Sequence, residues 1–215
     1  ENSILEENIC NEGFLKSSSN SYPIKNGVVR FLSNSDYNEN FGWQWNNWPK
    51  VQFESENVGK PMEGWTTMMW ESITGIKKDE NLKNKITLDL GCGPGRFIEV
   101  ARKRGASVIG LDYSHAVDAA QKNFSDDPDV CLIQADAMNL PIKNDVIDAA
   151  FSIGVLHHTP DPENGVKEIN RILKTKGWFA MSVYGSGYYD FPTVTMWRKI
   201  FKFTWKFFGE WPPLI

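Results

Sequence analysis

Leu88-Asp89-Leu90-Gly91-Cys92-Gly93-Pro94-Gly95-Arg96-Phe97 is a hydrophobic run that stops in three glycines and restarts as an amphipathic segment. It reads as strand, tight turn and helix. Ile86 to Leu90 supply the apolar and β-branched residues of a buried strand, and the glycines let the backbone turn sharply and approach a ligand without Cβ atoms. Phe97 to Arg104 then resume at helical spacing. A helix that starts at such a turn aims free N–H groups and a partial positive charge at whatever lies above the strand's carboxyl end. The dinucleotide fingerprint G-x-G-x-x-G needs a glycine where this chain has Arg96, so the loop fits a nucleotide-like ligand without fitting that spacing.

With Asp89 ahead of Gly91, Gly93 and Gly95, the decapeptide resembles motif I of class I S-adenosylmethionine-dependent methyltransferases. The resemblance implies a Rossmann-like, doubly wound α/β sheet, and it assigns Asp89, Gly91, Cys92, Gly93 and Gly95 to S-adenosylmethionine. The residues downstream bear on this in order. Ser107 to Leu111 read as the next strand, which ends in Asp112 followed by Tyr113. A carboxylate at that strand tip is suited to accept ribose hydroxyls through charge-assisted bonds, although it also suits a cap on the helix that Ser114 begins. Val130 to Gln134 read as a third strand that delivers Asp136 and Ala137, to which the resemblance gives the adenine edge. Asp145 to Ser152 read as a fourth strand beside the glycine loop, at the switch point where α/β ligands bind. In the family, backbone carbonyls matching Ser152, Ile153 and Gly154 hold the cofactor's ammonium. The run through Trp178 is similar to the ubiquinone-biosynthesis-like, type 11 branch.

His157 and His158 follow that strand. Adjacent histidines point in different directions and have no acidic or thiol partner at a metal spacing, so no metal site is indicated. A loop anchor is the plain reading of the pair. His157 is the candidate catalytic proton acceptor, since imidazole titrates near neutral pH.

With 215 residues and a net charge of −4, the chain has enough length for one sizeable core, and a broad nucleic-acid face is disfavoured. The three cysteines, Cys10, Cys92 and Cys131, are scattered without a C-x-x-C spacing, which suits reduced thiols in a cytoplasmic protein. Residues 1–60 read as an extension and 61–215 as the methyltransferase domain. In the extension, Tyr22 to Phe31 alternate around Asn26-Gly27 and predict a hairpin. It looks like the strand-turn-strand of zinc-ribbon-like modules that precede some methyltransferase domains, including rRNA guanine methyltransferases, but only Cys10 is present of the ligands those modules carry. The aromatic stretch around Phe41 to Trp48 reads either as packing or as a lid. Gln44 and Trp45 are its candidates to face a sulfonium. Met62 to Ile76 predict a helix that Gly75 ends.

A helix from Glu163 to Leu173, closed by Lys174 to Gly177, precedes a fifth strand from Trp178 to Tyr184. After it, little chain is left for the family's sixth and seventh strands, so the sheet reads as lacking them. Trp197, Phe201, Trp205 and Phe208 follow helical spacing with Arg198, Lys199, Lys202 and Lys206 between them. This pattern fits packing on the sheet and permits contact with a membrane surface. The expected activity is methyl transfer from S-adenosylmethionine to a small-molecule oxygen, nitrogen or carbon by in-line displacement. An RNA base acceptor and a non-catalytic cofactor-binding module are the alternatives.

Overall fold

A computed structural model describes residues 5–6, 9–17, 19–32, 39–77 and 79–185. The chain divides into a compact unit over residues 1–182 and a second over 183–215; the sheet and the site lie in the first. The expectations about strands six and seven, and about a helix over 196–208, lie outside the described residues.

Chain order begins with short strands β1 (Leu5–Glu6) and β2 (Ile9–Cys10), which pair only with each other. Next come β3 (Gly13–Lys16), β4 (Ser21–Lys25) and β5 (Val28–Arg30). Asn26 and Gly27 between β4 and β5 have φ of 50° and 76°, the paired left-handed residues a two-residue hairpin turn requires. Helices α1 (Glu39–Asn47) and α2 (Trp65–Thr74) follow. Gly75 closes α2 in a left-handed conformation with its N–H on the Glu71 carbonyl.

The repeating part is β6 (Ile86–Leu90), α3 (Arg96–Lys103), β7 (Ser107–Asp112), α4 (Ala116–Phe124), β8 (Val130–Gln134), β9 (Ile147–Ile153), α5 (Pro162–Ile172) and β10 (Leu173–Ser182). The eight-stranded sheet has the order β10-β9-β6-β7-β8-β5-β4-β3. Pairing from β10 through β5 is parallel, and β5, β4 and β3 are antiparallel. The predicted hairpin is therefore not a free-standing module. Its strand β5 pairs with β8, Val29 opposite Ile133 and Arg30 opposite Gln134, and covers an edge that would otherwise show unpaired N–H and C=O groups.

Both faces of the sheet are covered. Leu88, Leu90, Leu111, Ile147 and Ile172 pack in one cluster, and Trp70, Phe97, Ile98, Val100 and Phe151 in the other. Trp70 is fully buried edge-on against Phe151, and the Arg104 guanidinium lies 4.8 Å from its ring. Trp70 of α2 is thus core, while Trp65 on the same helix and Trp43 of the aromatic stretch are exposed. Helix α5 starts at Asp161, whose side chain accepts from the Asn164 N–H at 3.0 Å, with Pro162 in the first turn. It stops at Ile172, and Leu173 to Lys176 belong to β10 rather than to the predicted helix end. Lys174 there donates to Asp148 of β9 at 2.9 Å.

Among the described residues no helix is long and apolar enough to cross a membrane.

Candidate cofactor site

The chain runs outward from β6 to β7 and β8 and returns to β9 on the other side, so the sheet's switch point lies between β6 and β9. The Ser152 hydroxyl ties these two strands by donating to the Leu90 carbonyl at 3.1 Å. Over this point sits the glycine loop, with φ of 80°, 54° and 95° at Gly91, Gly93 and Gly95. Two of these positions are also spatially closed to a side chain. A Cβ on Gly91 would lie 2.3 Å from Val155, and one on Gly95 would lie 2.5 Å from Phe124. The loop is therefore wedged between the turn after β9 and the end of α4.

Asp112 reaches the same loop from β7. Its Oδ2 accepts from the Gly93 N–H at 2.9 Å, and its Oδ1 accepts from the Ser114 N–H at 2.8 Å and the Ser114 hydroxyl at 2.7 Å. Asp112 thus closes its own turn at Ser114, two residues short of α4, while its other oxygen faces the glycine loop. About four acceptor directions exist on a carboxylate and three are taken, which leaves one for an incoming hydroxyl. A second hydroxyl has to compete with Gly93 or Ser114. Burial raises the Asp112 carboxyl above its ordinary pKa against the pull of these donors.

Asp89 is 1% exposed, and its Oδ2 has no hydrogen-bond partner. Burial pushes its carboxyl well above the ordinary range, the Asp112 charge adds to this, and Arg96 opposes it. A buried acceptor with no donor is costly, so a cationic group at this spot would relieve two neighbouring acids together. Cys92 is buried in the same loop, and burial with both acids raises its thiol.

The remaining predicted residues are distributed as follows. Trp45 of α1 lies against the loop, with its Nε1 3.5 Å from where a Gly93 Cβ would be. Gln44 is half-buried on the same helix. Helix α1 is fixed to α4 by Asn46, whose amide donates to the Gly42 and His115 carbonyls at 2.9 and 2.8 Å. Asp136 accepts from the Met138 N–H at 2.8 Å, so one oxygen caps its own loop, and Ala137 beside it is buried. Ser152 and Ile153 are buried, and Gly154 has φ of 75° with its N–H on the Ser182 carbonyl. Tyr113 is half-buried, and its carbonyl accepts from Gln134 Nε2 at 3.1 Å. His157 lies in a single 3-10 turn (Leu156–His158), two residues past Val155, its ring centroid 4.0 Å from that of His158. Burial and then the His158 charge hold its pKa below the ordinary histidine value.

Sequence reasoning missed Val155, Ser114 and Gln134 as parts of the site. Val155 carries no motif signal because its role is contact alone. Ser114 was legible as a helix start but not as a donor to Asp112. Gln134 acts through a neighbour, and nothing in the local sequence marks that.

These residues fit a nucleoside carrying a cationic group: a glycine cradle, an acid on the next strand, and an unpartnered buried carboxylate. Known proteins agree in kind. Residues 88–181 match the family of the methyltransferase domain, type 11. The tRNA (carboxymethyluridine(34)-5-O)-methyltransferase of Arabidopsis thaliana is 32% identical over 59% of this chain and 30% of its own length. The demethylmenaquinone methyltransferase of Paenarthrobacter aurescens is 27% identical over 63% of this chain and 50% of its own. The chain thus spans between about a third and a half of these curated relatives. An S-adenosyl-L-methionine-dependent methyltransferase from Methanococcus maripaludis superimposes with a TM-score of 0.55 at 23% identity, covering 81% of this chain and 75% of that one. That likeness shows the Rossmann-like fold.

Proposed function

We propose that this chain, whose residues 88–181 match the methyltransferase domain, is an S-adenosylmethionine-dependent methyltransferase that methylates an oxygen, nitrogen or carbon of a small molecule. The observation that carries the reading is the 2.9 Å contact between the Gly93 N–H and Asp112, which joins a glycine cradle to an acid on the neighbouring strand.

S-adenosylmethionine supplies an activated methyl group when bound. In this reading Asp112 receives the ribose, Asp136 and Ala137 the adenine edge, and the backbone of Ser152 to Gly154, with the orphaned Asp89 oxygen, the cationic amino-acid end. Trp45 forms an aromatic wall by the loop, suited to a sulfonium. His157 accepts a proton from an oxygen or carbon acceptor; its depressed pKa keeps the imidazole neutral at pH 7 and available for that. A nitrogen acceptor needs positioning alone.

The small-molecule acceptor is supported by the net charge of −4, which gives phosphate backbones no general attraction. RNA is a second reading, favoured by the similarity to the Arabidopsis tRNA enzyme. Incubating the chain with methyl-labelled S-adenosylmethionine and a cell extract separates the two. Label in the low-mass fraction is expected. Label confined to nuclease-sensitive material would establish RNA, and no transfer to any fraction would remove the enzymatic reading.

A further inference from the structure

One guanidinium ties β5 to β8 and α4, on either side of the turn after β7. Arg30 is on β5, its side chain 10% exposed. Its Nη1 donates to Gln134 Oε1 at 3.1 Å, and its Nη2 donates to Asp118 Oδ1. Both arms then return to residues 112–115. The Gln134 amide is buried with its other end, Nε2, on the Tyr113 carbonyl. Asp118 Oδ2 lies 3.1 Å from Nδ1 of His115. Because Arg30 has only donors and a carbonyl only accepts, this is the single orientation of the Gln134 amide that satisfies both neighbours. The β4–β5 turn packs against the same helix, since a Cβ on Gly27 would lie 2.6 Å from Gln121.

We infer that Arg30 is a positioning residue for the cofactor's ribose: through Gln134 it holds the Tyr113 carbonyl, and through Asp118 it holds His115, so that Asp112 keeps its direction toward the glycine loop. This rests on the proposed role of Asp112. β5 thereby supports the proposed ribose acceptor through Gln134 and Asp118. Lysine cannot replace it fully, because an ammonium lacks the planar pair of donors that spans Gln134 and Asp118.

The test is a ligand cycle by calorimetry on the full chain, using S-adenosylhomocysteine and its 2′,3′-dideoxy analogue. Arg30→Ala is expected to weaken S-adenosylhomocysteine about tenfold. It is expected to weaken the dideoxy analogue at most about twofold, because the hydroxyls whose acceptor has moved are already missing. Arg30→Lys falls between wild type and Arg30→Ala. Gln134→Leu, which keeps the volume and loses the amide, gives the same pattern, and it reads out the inference if Arg30→Ala does not fold. Unchanged affinity in the variants, or equal loss for both ligands, overturns the inference while leaving the proposed function standing. A folded wild-type chain that binds neither ligand overturns both.

Discussion

Gly91 shows how a single hydrogen atom is held in place by two separate constraints. Its φ of 80° costs a side-chain-bearing residue about 1–2 kcal/mol, and its missing Cβ makes room for Val155 at 2.3 Å. Gly91→Ala should therefore lower the thermal midpoint. Adding Val155→Ala should recover the steric part and leave the conformational part, so the two changes will not add; simple additivity in denaturation would contradict the contact. Asp89 and Asp112 make a second prediction at this scale. Burial raises both carboxyls, so their contribution to stability is complete below the unfolded pKa, near 4, and is lost as pH rises through the raised folded values. A bound ammonium offsets that loss. Thermal stabilisation by S-adenosylhomocysteine should then be larger at pH 8 than at pH 5, and a flat or falling trend would exclude Asp89 as the counter-ion. His157 behaves in the opposite sense. With its pKa held down, turnover on an oxygen or carbon acceptor should persist through neutral pH and fall only below about 6.5. His157→Gln should cut kcat by about a hundredfold with KM little changed.

At the scale of elements, the segment between α1 and α2 is fastened by carboxylates rather than by regular structure. Glu99 on α3 accepts the N–H groups of Glu54 and Ser55 at 2.8 and 3.1 Å. Glu54 in turn accepts those of Gly64 and Thr67, at 2.8 and 2.7 Å, where α2 begins. Burial raises the Glu99 carboxyl, but Lys103, Ser55 and Glu54 outweigh it and hold it below the ordinary value. Its contribution is present above the unfolded pKa and is lost as pH falls through the lowered folded value. Glu99→Gln should therefore make residues 50–64 cleavable by protease at neutral pH, where the wild-type segment resists. What was legible in advance divides along the same line. The β6 strand, the glycine loop, Asp112 and the Asn26-Gly27 turn all declare themselves within ten residues, because their conformations are set by local sterics. Helix α1 did not, for it contains Gly42 and three asparagines, weak signals for a helix. It is held by His115, about seventy positions away, through Asn46. The start of β10 at Leu173 was hidden in the same manner, because pairing with β9 competes with the helix-ending pattern of Lys174 to Gly177.

For the whole molecule, the parallel pairing of β5 with β8 joins residues about a hundred positions apart, and no local pattern announces such a pairing. It makes β5 part of one core, as Val28 is fully buried there. Deleting residues 1–32 should cost about 2 kcal/mol or more from Val28 alone and leave β8 exposed as an edge, giving a lower midpoint or aggregation. A truncated chain that melts like the full one would show that the strands are dispensable. In the proposed reading the chemistry lies at the switch point, where β6, β7 and β9 bring Asp89, the glycines, Asp112 and Ser152 together. Calorimetric titration of the full chain with S-adenosylhomocysteine tests this most directly. One site per chain is expected, weakened at least about tenfold by Asp112→Ala. A folded chain that gives no binding heat, or an Asp112→Ala variant that binds as well as wild type, would contradict it.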